Sequence, residues 1–238
     1  MHKSNCQFFD PLTQKWKKLE VLIDKKLNYD YSKCKWIAID GEFTGLYPQR
    51  DDSTVWTICS EDEQTGLRVE MLYTYNNDAD ISGLKSLISS DIEKYFYYGR
   101  LDLAYLYKMT GIVVSSPIFD VKLSSVVIRT HTTEHGLKSL IKTYVNQTED
   151  IIDKSVLTNI DWVTDYKHWN PLAFQYNVND VIYLKYLADK LKELAKKSKK
   201  VDVVNSVNIA LPHLATIYAN GFYRNIFKHS YNDTDMQE

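Results

Sequence analysis

The stretch KWIAIDGEFTGLYPQRD, Lys35 to Asp51, decides the fold. Its apolar opening, Trp36 to Asp40, reads as a buried strand that ends on a carboxylate, and Glu42 follows after one glycine. Residues two apart on an extended chain share a face, so both acids point the same way. An unpaired buried carboxylate is costly. Either a cation sits beside the pair, or the strand frays there and the acids face water.

Outward from this strand, Thr54–Ser60 and Arg68–Tyr73 read as two more, separated by turn-rich polar segments, which predicts an antiparallel meander. Strands and helices alternate after that. Ile81–Ser90 is helical, with Ile81, Leu84 and Leu87 on one face; a strand is expected near Tyr95–Tyr98; Leu101–Met109 is helical and stops at Gly111. A short strand, Ile118–Phe119, leads into a helix at Val121–Arg129. Gly136–Val145 reads as another helix, and Pro171 opens a long one running through Leu194. The pattern predicts an α/β fold with a mixed central sheet flanked by helices. It divides into a leader, 1–33, a main domain, 34–200, and a C-terminal extension, 201–238, that packs on the domain or on a neighbouring subunit. In the leader, Trp16, Leu19, Leu22, Ile23 and Leu27 fall at helical spacing and predict a packed helix.

Composition excludes several classes. With 44% apolar residues in 238, the chain can bury a sizeable core. A net charge of -2 gives no global basic field, so any nucleic-acid surface is local. Cys6, Cys34 and Cys59 are widely spaced and form no CxxC pair, which indicates neither a disulfide framework nor a zinc site. The first residues lack the order of a signal peptide, and no apolar run approaches membrane-spanning length. A reducing cytoplasm fits these features. The lysine-rich run Lys190–Lys200 reads as a solvated helix end whose cations suit the helix dipole, or as a phosphate contact.

Two further acids stand out. Asp102 opens the helix after the fourth strand, and Asp180 lies in an apolar helix with Tyr176 one turn earlier. Singly, each is ordinary: a DxE triplet arises by chance, an acid at a helix start is usually a cap, and a tyrosine near an aspartate is usually packing. The order of the four acids carries the signal. Like charges at about 4 Å repel by roughly 4 kcal/mol at an effective dielectric of 20, so Asp40, Glu42, Asp102 and Asp180 converge only around cations. Oxygen-only ligands favour Mg²⁺ or Mn²⁺. The expected chemistry is in-line attack on a phosphodiester with two divalent ions, Tyr176 orienting the attacking water or accepting its proton through a bridging hydrogen bond.

That order resembles the DEDD superfamily of 3′–5′ exonucleases. IAIDGEFTGL looks like its histidine subclass, which places a histidine five residues before the last acid. Here Gln175 holds that position and Tyr176 follows, so the tyrosine subclass fits, with the ribonuclease D group the nearest large family. The likeness narrows to the short ribonuclease D-like enzymes of alphaproteobacteria, the nanoRNase C type. It rests on DGEFTGLYPQRD, YYGRLDLAYL, RTHTTEHGLKSL (Arg129–Leu140), the Asp161-Trp162 pair and YNVNDVIYLKYL, with the tail Leu211–Ser230 also similar.

The resemblance implies a ribonuclease H-like exonuclease fold with Asp40, Glu42, Asp102 and Asp180 as ligands of two divalent ions and Tyr176 positioning water. It makes Leu46 the wedge against the terminal base and places Thr44 and His135 at the substrate, His135 alternatively serving as a cap before the Gly136 helix. It implies short single-stranded RNA, with DNA as a variant, a ring-like homo-octamer, and no second helical domain. The expected activity is a metal-dependent 3′–5′ exoribonuclease that hydrolyses short RNA to nucleoside 5′-monophosphates. Alternatives are tRNA 3′-end processing, DNA exonuclease activity, and a non-catalytic RNA-binding module, which a missing acid would favour. Tyr97, Tyr98 and Tyr105 either stack on bases or belong to the core. The chain departs from the type where Tyr97 replaces a histidine, where Lys154 is the only cation near a loop otherwise rich in Lys and Gln, and in its long leader.

Overall fold

A computed structural model describes residues 1–62, 66–145 and 160–221. In chain order the elements are β1 (His2–Asp10), β2 (Lys15–Asp24), β3 (Trp36–Phe43), β4 (Ser53–Asp62), β5 (Gly66–Tyr73), α1 (Ser82–Ser89), β6 (Glu93–Phe96) and α2 (Arg100–Thr110). They continue with β7 (Ile118–Asp120), α3 (Val121–Ile128), α4 (Leu137–Val145), α5 (Pro171–Ile182), α6 (Leu184–Lys197) and α7 (Val201–Asn220).

The strands form one mixed sheet in the order β1-β2-β5-β4-β3-β6-β7. β3, β4 and β5 make the expected antiparallel meander. β6 and β7 then add in parallel, each reached through a helix, as parallel pairing requires. Side-chain alternation along β3 sends Trp36 and Ala38 into one core and Ile37 and Ile39 into the other. The first core holds α5 and α6. The second holds α1, α2 and the buried side of α7. A sheet covered on both faces explains why β3 opens on an unbroken apolar run and why β4 is buried without a break from Thr54 to Ser60.

The leader is corrected by the structure: it is a hairpin of two strands on the sheet edge, with no α-helix. β1 pairs antiparallel with β2, and β2 pairs parallel with β5 through Val21↔Val69 and Ile23↔Met71. The burial there has period two: Cys6, Phe8 and Asp10 on β1 and Leu19, Val21 and Ile23 on β2 face inward. Helical spacing and strand alternation share Leu19 and Ile23, and the open edge of β5 decided between them. The leader is therefore continuous with the sheet of the main domain.

The single helix expected from Pro171 to Leu194 is two, parted at Tyr183. The buried Tyr183 hydroxyl accepts the Phe9 N–H of β1 at 3.1 Å. α2 stops where expected, with Gly111 in the left-handed conformation at φ 71°. The C-terminal extension enters as α7, packed on α2 and α3. The loop with Lys154 and the tail beyond Gly221 lie outside the described residues.

Candidate active site

Asp40 and Glu42 leave β3 on the face covered by α5, which is why Asp180 meets them. One carboxylate oxygen from each of Asp40, Glu42 and Asp180 lies within 4.8 Å of the others, and all three residues are half-buried. The α5 helix is well placed to hold this geometry. Asn170 caps its N-terminus and Pro171 follows at the first turn, while Thr57 on β4 donates to Asn177 Oδ1 at 3.2 Å. Gln175 clamps the other side, exchanging two hydrogen bonds with the Gln7 backbone at 2.8 and 2.7 Å. The position that could have carried a catalytic histidine thus secures β1 instead.

Asp102 lies outside that trio and is 5% exposed. Its Oδ1 accepts the Gly41 N–H at 2.9 Å, so it is fastened to the residue between Asp40 and Glu42. Burial pushes the Asp102 carboxyl up to about 7; the Gly41 hydrogen bond opposes this and the Asp120 and Asp180 charges add to it. Gly41 is required there, since a Cβ would stand 2.7 Å from Phe43 Cζ and 2.8 Å from Trp56 Cζ3.

Tyr176, one turn before Asp180, is hydrogen-bonded to it and packs on Trp162, whose ring centre is 6.3 Å away. Burial first, then the charges of Asp180, Glu42 and Asp40, hold its phenol far above the usual range. Its O–H donates to the Asp180 carboxylate.

Asp40, Glu42, Asp102, Tyr176 and Asp180 all line one cleft of about 840 Å³, and Leu46, 65% exposed, lines it too. Thr44 and His135 do not. The Thr44 hydroxyl accepts the Asp52 N–H at 2.9 Å and closes the base of the β3–β4 loop. His135 has both ring nitrogens engaged, Nε2 donating to the Thr132 carbonyl at 2.8 Å and Nδ1 beside Ser125 Oγ at 2.9 Å. Its own carbonyl accepts from the Tyr97 hydroxyl at 2.9 Å. His135 therefore braces the loop ahead of α4. Tyr105 is a core residue stacked on Phe43 at 4.0 Å, whereas Tyr97 and Tyr98 reach the cleft.

Sequence reasoning missed Arg100, Lys138 and Tyr218 in the lining, and Asp120 behind it. Asp120 is fully buried, its Oδ2 accepting the Gly99 N–H at 2.6 Å and its own N–H reaching Asn208 Oδ1 at 2.5 Å. It thereby steadies the turn from which α2 presents Asp102. The strand-then-helix junction at residue 120 was the available signal. The lysine-rich run stays out of the cleft lining. Lys192 pairs with Glu93, Lys197 with Glu193, and Lys200 caps the carbonyls of Val127 and Ile128.

A half-buried set of carboxylates opening on a cleft suits hard cations: every donor is oxygen, and their mutual repulsion is relieved by positive charge. Fold and site together define a hydrolytic α/β enzyme with an acidic centre. The chain belongs to the 3′–5′ exonuclease family, whose profile matches residues 17–196. Brucella melitensis NrnC bound to pGG is 25% identical, with a TM-score of 0.73 over 88% of this chain and 98% of that one. The same protein with bound Mg²⁺ aligns at 24% identity and a TM-score of 0.72, over 88% and 98%. Escherichia coli RNase D shares the fold at 19% identity and a TM-score of 0.62, covering 77% of this chain and 45% of that one. Among curated proteins none matches the sequence. The fold is thus the ribonuclease H-like exonuclease fold, with the β1–β2 hairpin on its edge, and the protein is an NrnC-like 3′–5′ exonuclease.

Proposed function

We propose that this exonuclease shortens small single-stranded RNAs from the 3′ end, releasing nucleoside 5′-monophosphates. The observation that carries the proposal is the convergence of Asp40, Glu42 and Asp180 beside Tyr176 in the cleft, with Asp102 fastened to Gly41. The four acids would hold two divalent ions, Mg²⁺ or Mn²⁺. Bound there, such ions supply a hydroxide nucleophile at neutral pH and offset the charge developing on the phosphodiester. Tyr176, whose hydroxyl proton is donated in the hydrogen bond to Asp180, accepts a hydrogen bond from the attacking water and aligns it. Leu46, exposed on the β3–β4 loop, abuts the terminal base.

Short RNA is favoured by two points. The cleft volume is that of a small-ligand site, and the NrnC relative is seen with pGG. Few base contacts are needed for processing that ignores sequence. A homo-oligomer, an octamer by family resemblance, is the proposed assembly. Val203, Leu214 and Ile217, exposed on α7, offer apolar surface for it. Chemistry of this kind in a chain whose three cysteines are free, with no helix of the described residues able to cross a membrane, suits the cytoplasm.

The deciding experiment incubates purified protein with Mn²⁺ or Mg²⁺ and 5′-labelled RNAs from two to about twenty nucleotides long, beside matched DNA. Stepwise 3′ shortening of the shortest RNA, stopped by EDTA, is expected. Cleavage that needs no metal, or that prefers DNA, would overturn the reading.

A further inference from the structure

Leu46 presents an unusual problem for a contact residue. At 65% exposure it has little packing to fix its direction, so its aim is set by the backbone on either side. Both flanking peptide units are held by tyrosine hydroxyls. Tyr105, on α2, donates to the Gly45 carbonyl at 3.1 Å, and Tyr218, on α7, donates to the Leu46 carbonyl at 2.7 Å. The second peptide is also held at its nitrogen, where the Tyr47 N–H donates to Asp51 Oδ2 at 2.9 Å. With both planes immobilised, neither φ nor ψ of Leu46 is free.

The attachment to α7 is reciprocal. Gln49 Nε2, from the same loop, donates to the Tyr218 carbonyl at 2.6 Å. The Tyr218 ring lines the cleft with the Arg100 guanidinium 4.8 Å from its centre. Tyr105 sits three residues from Asp102 on the helix that carries that acid, so one anchor references Leu46 to the carboxylates and the other to α7.

We infer that Tyr218, with Tyr105, is a positioning residue that aims Leu46 at the terminal base and makes α7 a working part of the cleft. The inference rests on the exoribonuclease reading for what Leu46 touches, and on hydrogen bonds alone for how Leu46 is held. Tyr218 acts through Leu46 and takes no part in the chemical step. Tyr218→Phe keeps the ring and removes only the donor, and so isolates the bond.

The test is a double-mutant cycle of Tyr218→Phe and Leu46→Ala, read as kcat and KM on a 5′-labelled dinucleotide with Mn²⁺. Loss of one hydrogen bond is expected to raise KM about three- to tenfold while kcat stays within about twofold. In the Leu46→Ala background the effect of Tyr218→Phe should vanish. A merely structural tyrosine would lower stability and penalise both backgrounds alike; that result, or an unchanged KM, overturns the inference. A second arm measures amide exchange across residues 44–52 in parent and Tyr218→Phe. Faster exchange supports the latch and unchanged protection overturns it. An inactive parent would count against the exoribonuclease reading, and the exchange arm would still decide the latch.

Discussion

Asp102 Oδ1 and the Gly41 N–H are 2.9 Å apart, which ties the buried acid of α2 to the residue separating the two acids of β3. One hydrogen bond therefore connects the two elements that supply three of the four acids. Burial holds the Asp102 proton up to about 7, while in the unfolded chain it leaves near 4. Between those values the folded state binds more protons, so stability rises as pH falls from 7 toward 4 and is eroded as pH climbs through 7. In metal-free protein this contribution is on the order of 2–4 kcal/mol. Asp102→Asn should flatten the slope, leaving the part due to the buried Asp120, and leave the protein more stable at pH 7.5. Urea denaturation in EDTA across pH 5 to 8 checks this; an identical slope in parent and variant would contradict it.

Gly41→Ala tests the close approach beneath that bond. A methyl group there meets Phe43 and Trp56 below 3.0 Å, and Phe43 is already stacked on Tyr105. Destabilisation of about 1–3 kcal/mol is expected. The urea midpoint should drop with its slope retained.

Asp40→Ala and Asp180→Ala should each abolish RNA shortening while far-UV circular dichroism stays that of the parent. Thermal stability without metal should hold or increase, because removing one of three clustered charges relieves repulsion. Retained turnover in either variant would take that residue out of the site.

Tyr176→Phe separates water alignment from folding. The ring keeps its packing against Trp162 and loses its hydrogen bond to Asp180. A fall in kcat of roughly a hundredfold, with Mn²⁺ affinity by calorimetry little changed, is expected. A large loss of Mn²⁺ affinity would instead assign the hydroxyl to holding the acids in place.

For assembly, light scattering should give a mass several times the 27.8 kDa chain. Leu214→Glu, on the exposed apolar side of α7, should lower it. A monomer mass for the parent would end the octamer proposal.

Features that depend on near neighbours were readable in the chain. The DxE spacing on an extended strand, the Gly111 stop, the Pro171 start, and Tyr176 one helical turn before Asp180 each follow from backbone geometry within a few residues. The β-meander followed from three short strands parted by turn-rich segments, and the mixed sheet from strands alternating with helices beyond them. Thr44 and His135 illustrate the limit: their types suit substrate contact, yet their hydrogen bonds are taken up within the protein.

Contacts between distant segments followed a different logic. Whether residues 2–24 were helix or hairpin depended on an edge of β5 lying open to receive β2. The hydroxyl of Tyr218 reaches a carbonyl 172 residues earlier, and Gln175 finds a partner 168 residues away. Local geometry carries the type and spacing of a side chain, because four residues suffice to define them. Its partner is settled by how the sheet closes and which helix lands on which face, where burial and hydrogen bonding are satisfied for the whole chain at once.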